Sequence, residues 1–201
     1  MSEDHAGPTA TLAARVRHLE TLLEQRGLVD TRELDRSLEA FLARASPANG
    51  ARLVARAWLD ERFRARLLAD ANAALPELGL SMGGGLQEQR LIVVENTEQV
   101  HNVIVCTLCS CYPRALLGMP PTWYKSENYR RRVVREPRAV LREFGTVIPD
   151  EVSIRVHDSN ADMRYVVVPM RPKGTEGWSE ERLAELVTRD SMIGTGVPKE
   201  P

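Results

Sequence analysis

All three cysteines of this 201-residue chain fall within six positions, Cys106-Thr107-Leu108-Cys109-Ser110-Cys111. A disulfide scaffold would spread an even number of cysteines along the chain, and a bridge inside so short a loop would gain little stability. Thiolates are soft metal ligands, and several of them so close together are costly to deprotonate unless a cation compensates. A structural zinc site usually takes four protein ligands, often as two separated pairs, and no second pair exists here. His101 is near in sequence, on a strand that leaves its direction open, and His157 is the only other histidine in this half. Further donors could come from the backbone. The amide nitrogens of Ser110 and Cys111, once deprotonated, could chelate together with the flanking sulfurs and favour a trivalent metal. Three sulfurs and two nitrogens would leave a sixth octahedral position open, which describes a Lewis-acid site. Two other readings stand beside this one: a Cys-x-x-Cys redox pair, which needs a helix start and no third cysteine, and small side chains that fill a core.

The elements that must position this loop follow from periodicity. Strands are expected at Leu91-Ile92-Val93-Val94 and at Asn102-Val103-Ile104-Val105, which runs straight into Cys106. Two more are expected at Val152 to Val156 and Arg164 to Val168, and the turn-like Asp158-Ser159-Asn160-Ala161-Asp162 suggests that they form an antiparallel hairpin. Helices are expected over Thr122 to Arg132, Pro137 to Phe144 and Ser179 to Val187, the last capped by Ser179 with Glu180 and Glu181 at its positive end.

The first part of the chain is helical throughout. Leu12, Val16, Leu19 and Leu23 recur at helical spacing, Gly27 can stop that helix, and Asp30 or Thr31 can cap the next, which carries Leu34, Leu38, Phe41 and Leu42. Ser46-Pro47-Ala48-Asn49-Gly50 reads as a turn, with a third helix over roughly Ala51 to Ala73. Residues 1–75 are therefore expected to form a helical arm that packs on a partner, or a helical layer on the chain's own core. Residues 76–201 would form the metal-binding catalytic domain. Ser81-Met82-Gly83-Gly84-Gly85 marks the boundary and lacks the spacing and lysine of a phosphate loop. The sum is an α+β protein with an N-terminal helical arm.

Composition excludes several classes. The chain is 43% hydrophobic and 27% charged, as an ordinary globular protein is, and its 27 basic and 28 acidic residues give a formal charge of −1. That balance offers no general attraction to nucleic acid or an anionic membrane. The basic run Tyr129-Arg130-Arg131-Arg132 lacks interleaved aromatics and is offset by Glu127, Glu136 and Glu143, so ion pairs or partner contacts are expected of it. No apolar stretch is long enough to span a bilayer, and Met1-Ser2-Glu3-Asp4 is polar, so a cytoplasmic location is expected.

Val105-Cys106-Thr107-Leu108-Cys109-Ser110-Cys111-Tyr112-Pro113 resembles the metal-binding signature of nitrile hydratase alpha subunits, with Thr107 as in the cobalt-type form rather than the serine of the iron type. The resemblance continues through Leu117 to Ser126, Arg132 to Arg138, Arg164-Tyr165, Arg171 to Trp178 and Val187 to Gly194. It implies a layered α/β/β/α catalytic domain and one Co(III) per chain. By resemblance Cys106 would be the axial thiolate, with Cys109 and Cys111 equatorial beside the Ser110 and Cys111 amides. Cys109 would be oxidised to a sulfinate and Cys111 to a sulfenate. Cys111, Cys109 and Gln87 would carry catalysis, although Leu86 and Glu88 around Gln87 depart from the family's usual pattern. The partner implied is a beta subunit, in one chain or two, whose arginines would contact the oxidised sulfurs. A cobalt-insertion activator protein is also implied. The reaction implied is hydration of a nitrile to the amide. One departure bears on substrate: Arg114 stands where the family often has tryptophan, which suits a polar or functionalised nitrile. It also keeps in view the related metal-bearing subunit of thiocyanate hydrolase, and apart from Arg114 a non-catalytic metal-carrying assembly component is a further alternative.

Overall fold

The structure, a computed structural model, describes residues 8–83 and 89–201. The chain divides into two compact units, the first ending at Ala43 and the second running Arg44–Pro201, so the boundary expected near residue 75 falls inside the second unit. In the first, α1 (Pro8–Gln25) ends at Gly27, whose φ of 65° lets the Leu28 amide turn back to the Leu23 carbonyl at 3.0 Å. The Asp30 carboxylate then accepts from the Arg32 amide and starts α2 (Thr31–Arg44). Leu12, Val16 and Leu19 on α1 and Leu34 and Leu38 on α2 are all exposed.

The second unit opens with three short helices where one was expected. Ser46 accepts from the Ala48 amide and Pro47 occupies the first turn, so the segment read as a turn begins α3 (Pro47–Leu59). The Asp60 carboxylate bonds the amides of Arg62 and Phe63 and starts α4 (Glu61–Ala69), and Asp70 bonds Ala73 to start α5 (Ala71–Ala74). A side-chain cap competes with continuation of the preceding helix, and here it wins twice. These helices bury Leu53, Val54, Phe63 and Leu67 in the unit's core.

Four strands follow: β1 (Arg90–Glu95), β2 (Val100–Val105), β3 (Ser153–Asp158) and β4 (Met163–Val168). The hairpin expected of β3 and β4 does not form. Instead β1 pairs with β4 and β2 with β3, both parallel, and each short connection, 96–99 and 159–162, carries the chain from one sheet to the other. The reason lies in β4. Val166, Val167 and Val168 are all fully buried, the pattern of a strand covered on both faces rather than of a hairpin with one wet face. Asn160 tightens the second connection by accepting from the amides of Asp162 and Met163.

Between β2 and β3 lie α6 (Arg114–Leu117), a 3-10 turn at Thr122–Lys125, α7 (Glu127–Arg135) and α8 (Pro137–Glu143). Ser126 caps α7, so the helix expected to begin at Thr122 is broken there. After β4 come α9 (Glu180–Ala184), shorter than expected, and α10 (Arg189–Ile193). Helices α4 and α5 pack on β1, α8 packs on β3, α10 packs on β2 and β4, and the two sheets touch through β2. The layering is α/β/β/α.

A buried polar chain ties the first connection to both sheets. The Asn102 amide donates to Asn96 Oδ1 at 2.7 Å, and Asn102 Nδ2 donates to the Glu95 carbonyl and to the same Oδ1. Asn96 Nδ2 therefore faces His101 Nδ1 as a donor, which leaves the proton on Nε2 to bond the Gly194 carbonyl at 2.7 Å. His157 Nε2 reaches Asn102 Oδ1 at 2.8 Å. Burial holds both imidazoles below their ordinary value of 6.5. The folded protein thus takes up protons later than the unfolded chain. Stability is complete above about pH 6.5 and is lost as pH falls through that value, by at most roughly 1.4 kcal/mol per pH unit for each histidine. Urea unfolding between pH 7.5 and 5.5 checks this. A midpoint that does not move would count against it, and His101→Gln should flatten the decline from a lower starting stability.

Candidate metal centre

Strand β2 delivers Cys106 into the core, where its side chain is fully buried, and the chain then leaves regular structure. The Val105 carbonyl is held by the Ser159 amide at 2.7 Å, so the start of the loop is locked to the end of β3. The register Val105↔Asp158 then puts a carboxylate beside the next residue. Asp158 accepts from the Thr107 amide at 2.9 Å and from the Thr107 hydroxyl at 2.6 Å. At the far end of the loop, Tyr124 donates its hydroxyl proton to the Cys111 carbonyl at 3.0 Å.

Between these anchors the backbone folds back on itself. The Cys109 amide donates to Cys106 Sγ at 3.3 Å, Cys106 Sγ lies 3.5 Å from Cys109 Sγ, and Cys109 Sγ lies 3.4 Å from Cys111 Sγ. All three sulfurs lie within 4.8 Å of one another, and none is bridged. They form a graded set: Cys106 is buried, Cys111 partly covered and Cys109 exposed. The Cys109 sulfur receives hydrogen bonds from the Cys111 thiol, the Ser110 amide and Cys106, which bring its pKa down to about 7. Burial, together with the neighbouring Cys109 sulfur, pushes Cys111 up to about 12. One thiolate is therefore readily formed, and it suppresses the next. A set in which Cys109 and Cys111 oppose one another's ionisation, with all three sulfurs converging, suits a cation between them.

The redox reading lacks its usual support, because the Cys106–Cys109 pair does not sit at the start of a helix. Neither histidine near the loop is available to the cluster, since His101 is engaged by Asn96 and Gly194 and His157 by Asn102. The structure thus brings together Cys106, Cys109 and Cys111. Gln87 lies outside the described residues. Arg114 is exposed at the first position of α6, three residues beyond the cluster, and Leu108 at the tip of the loop is 85% exposed.

Sequence reasoning missed the residues that hold the loop. In sequence Asp158 reads as part of a turn, Tyr124 as part of a helix, and Arg130 as one of a basic run. The rest of that run behaves as expected: Arg131 pairs with Glu127, and Arg132 pairs with Glu136 and Glu143. Arg130 instead sends Nη1 to the carbonyls of Thr107, Leu108 and Cys109, at 3.4, 3.2 and 3.4 Å. Its sequence signal was an arginine with no carboxylate four residues away on either side, whereas Arg131 and Arg132 each have one.

The family described as nitrile hydratase, alpha chain, matches residues 10–196. The cobalt-containing nitrile hydratase subunit alpha of Pseudonocardia thermophila is 52% identical over 184 residues, covering 91% of this chain and 89% of that one. The thiocyanate hydrolase subunit gamma of Thiobacillus thioparus is 49% identical over 161 residues, covering 76% and 66%. Among solved structures, a double mutant of the Fe-type nitrile hydratase from Comamonas testosteroni Ni1 superposes with a TM-score of 0.87 at 43% identity, covering 97% of this chain and 94% of that one. With the matching signature spanning the cysteine loop, the sheets that bear it and the helices around them, the chain belongs to the nitrile hydratase alpha-chain family, as the metal-bearing subunit of a nitrile hydratase/thiocyanate hydrolase family enzyme.

Proposed function

We propose that the chain is the alpha subunit of a cobalt-dependent nitrile hydratase, which adds water to a nitrile to give the amide. The observation that carries the reading is the convergence of three unbridged sulfurs within 4.8 Å on one loop, on a sequence that retains Thr107. The choice of cobalt rests on Thr107 and on the cobalt-containing relative. The fold alone does not make that choice, because an Fe-type structure shares it. One Co(III) per chain would be held by the sulfurs of Cys106, Cys109 and Cys111 and by the amide nitrogens of Ser110 and Cys111. When bound, it would supply Lewis acidity where negative charge develops on the nitrile nitrogen.

The chain's own groups divide the remaining work. Buried Cys106 anchors the centre from the core side, away from solvent. Cys109 and Cys111 face outward, and in our reading an external peroxide-level oxidant converts them, two equivalents taking Cys109 to a sulfinate and one taking Cys111 to a sulfenate. The Cys111 sulfenate oxygen then either takes a proton from the attacking water or attacks the nitrile carbon itself, in which case water attacks the sulfur, the S–O bond breaks to release the amide, and the water oxygen restores the sulfenate. In both routes one water is consumed and no ammonia leaves. Gln87 is assigned to the substrate pocket by resemblance alone.

The sulfur oxyanions need countercharge that the exposed loop tip does not supply, so a beta subunit, in one chain or two, would cover it with arginines. The exposed leucines of α1 and α2 support an N-terminal arm that docks on such a partner. An activator protein would insert the cobalt. Arg114, exposed beside the loop, favours a polar nitrile. The same residue, with the gamma-subunit relative, favours thiocyanate hydrolysis as the second reading. Nitrile hydration is preferred because the nitrile hydratase relative matches more of the chain, 91% against 76%.

Matured protein should carry one cobalt per chain, with at least two cysteines oxygenated. Elemental analysis joined to intact-mass spectrometry checks this, and stoichiometric zinc with three unmodified thiols would overturn it. Cys111→Ser should abolish turnover, and wild-type turnover with retained metal would remove the role given to its sulfenate. Ser110→Ala should be milder, because the proposed ligand there is backbone nitrogen.

Substrate choice is tested on the chain with its native partners, assayed on aliphatic, aromatic and heterocyclic nitriles and on thiocyanate. Amide formation without thiocyanate turnover is expected, and carbonyl sulfide release with negligible nitrile hydration would select the second reading. Arg114→Trp should shift relative kcat/KM toward less polar substrates, and an unchanged preference would show that Arg114 does not set it.

A further inference from the structure

Arg130 stands out because, among the described residues, its guanidinium lies against three successive carbonyls and no carboxylate. Nη1 is 3.4 Å from Thr107 O, 3.2 Å from Leu108 O and 3.4 Å from Cys109 O, while the buried Nε has no partner among the described residues. A cation takes carbonyl oxygens in this way when their negative ends are crowded onto one side of a loop. The planarity of the peptide then fixes what happens on the other side. In a trans peptide the carbonyl of one residue and the N–H of the next point in opposite directions, and the chain has no cis peptide bond among the described residues. Drawing the carbonyls of Leu108 and Cys109 toward α7 therefore turns the amides of Cys109 and Ser110 away from it.

One of those amides meets sulfur directly: the Cys109 N–H lies 3.3 Å from Cys106 Sγ. The Ser110 N–H, opposite the Cys109 carbonyl that Arg130 holds, is turned away from α7 in the same way. Arg130 thus works with Asp158, which grips the Thr107 amide and hydroxyl at the start of the same turn. Arg130 on the carbonyl side and Asp158 at the Thr107 amide fix from two directions the turn whose Cys109 N–H meets sulfur.

We infer that Arg130 is a positioning residue for the metal centre, holding the carbonyl face of the cysteine loop so that the Cys109 and Ser110 amides are aimed at the sulfur cluster. The inference rests on the metal reading given above only for its consequence. The orientation itself is a property of the metal-free chain. Where the Ser110 nitrogen must become a ligand, aiming it in advance removes the cost of turning a peptide plane during loading.

An internal control is available. The Arg138 guanidinium also caps three carbonyls, Ile148, Pro149 and Val152, each at 2.7 Å, but it touches nothing in the cysteine loop. Amide hydrogen exchange is measured by NMR on the full reduced, metal-free chain for wild type, Arg130→Leu, Arg130→Lys and Arg138→Leu. Loss of an ordinary hydrogen bond corresponds to about a tenfold change in opening. Arg130→Leu should therefore speed exchange at Cys109 and Ser110 by about that factor, with β2 and β3 unaffected. Lysine should restore most of the protection, since an ammonium can still approach carbonyls. Arg138→Leu should leave the two amides as they are in wild type.

Unchanged exchange at Cys109 and Ser110 in Arg130→Leu would overturn the inference. So would a rise spread evenly over the domain in both Arg130 variants, because that is what general destabilisation gives. In the cobalt-loaded holoenzyme, Arg130→Leu should also release cobalt to EDTA about tenfold faster than Arg138→Leu. Equal release rates in the two would likewise count against it. If wild-type chain took up no cobalt at all, the metal reading would fail while the exchange comparison stood.

Discussion

Three sulfurs at neighbour distances of 3.4 and 3.5 Å impose one constraint on everything around them. Such a group cannot carry three negative charges without a cation, and without one the charge is unequal, with Cys109 lowered and Cys111 raised. Thiols left to a flexible loop would separate, because side-chain and backbone entropy favours it. The loop is therefore held by groups outside it, each taken from a different element. Asp158 comes from the end of β3, Tyr124 from the 3-10 turn and Arg130 from α7.

The sheet arrangement makes those holds available. A hairpin of β3 and β4 would have left β2 to end beside some other strand. Parallel pairing of β2 with β3 instead brings both C-terminal ends to the same place, so Cys106 and Asp158 emerge side by side. Ligand sites commonly lie at the carboxyl ends of parallel strands for this reason, although here the sheet has only two strands. Parallel pairing also demands a long crossover, and the crossover is where Tyr124, Tyr129 and Arg130 are carried. Tyr129 closes the arrangement by donating to the Ile104 carbonyl at 2.8 Å, so the helix that holds the loop is fastened to the strand that begins it.

Much of this was legible in the sequence where the determinant was local. The cysteine spacing, the apolar strand that feeds it and the Ser179 cap depend on residues a few positions apart, and each is found where expected. Local signals were also misjudged. Asp60 and Asp70 were present as helix starts inside a stretch taken as continuous, and Ser46-Pro47 is a helix opening that resembles a turn. The partners in each sheet were not legible. A turn-like segment between two strands is compatible with a hairpin or with a change of sheet, and only the burial of Val166 to Val168 on both faces decides. The roles of Asp158 and Arg130 depend on that same long-range pairing, so a carboxylate and a guanidinium that shape the site read in sequence as turn and surface charge.

The likeness to an Fe-type structure at a TM-score of 0.87 separates the framework from the choice of metal. Thr107 is the residue by which the sequence resembles the cobalt form, and its two polar contacts are both to Asp158. A serine at this position would keep the same amide and the same hydroxyl, so it could make the same two bonds. What threonine adds is a methyl group, and with it a stiffer χ1. In this chain the methyl therefore limits how freely the first side chain of the loop can turn once Asp158 has anchored it. That stiffening acts at the junction of Cys106 and Thr107, between the buried cysteine and the carboxylate that fixes the loop.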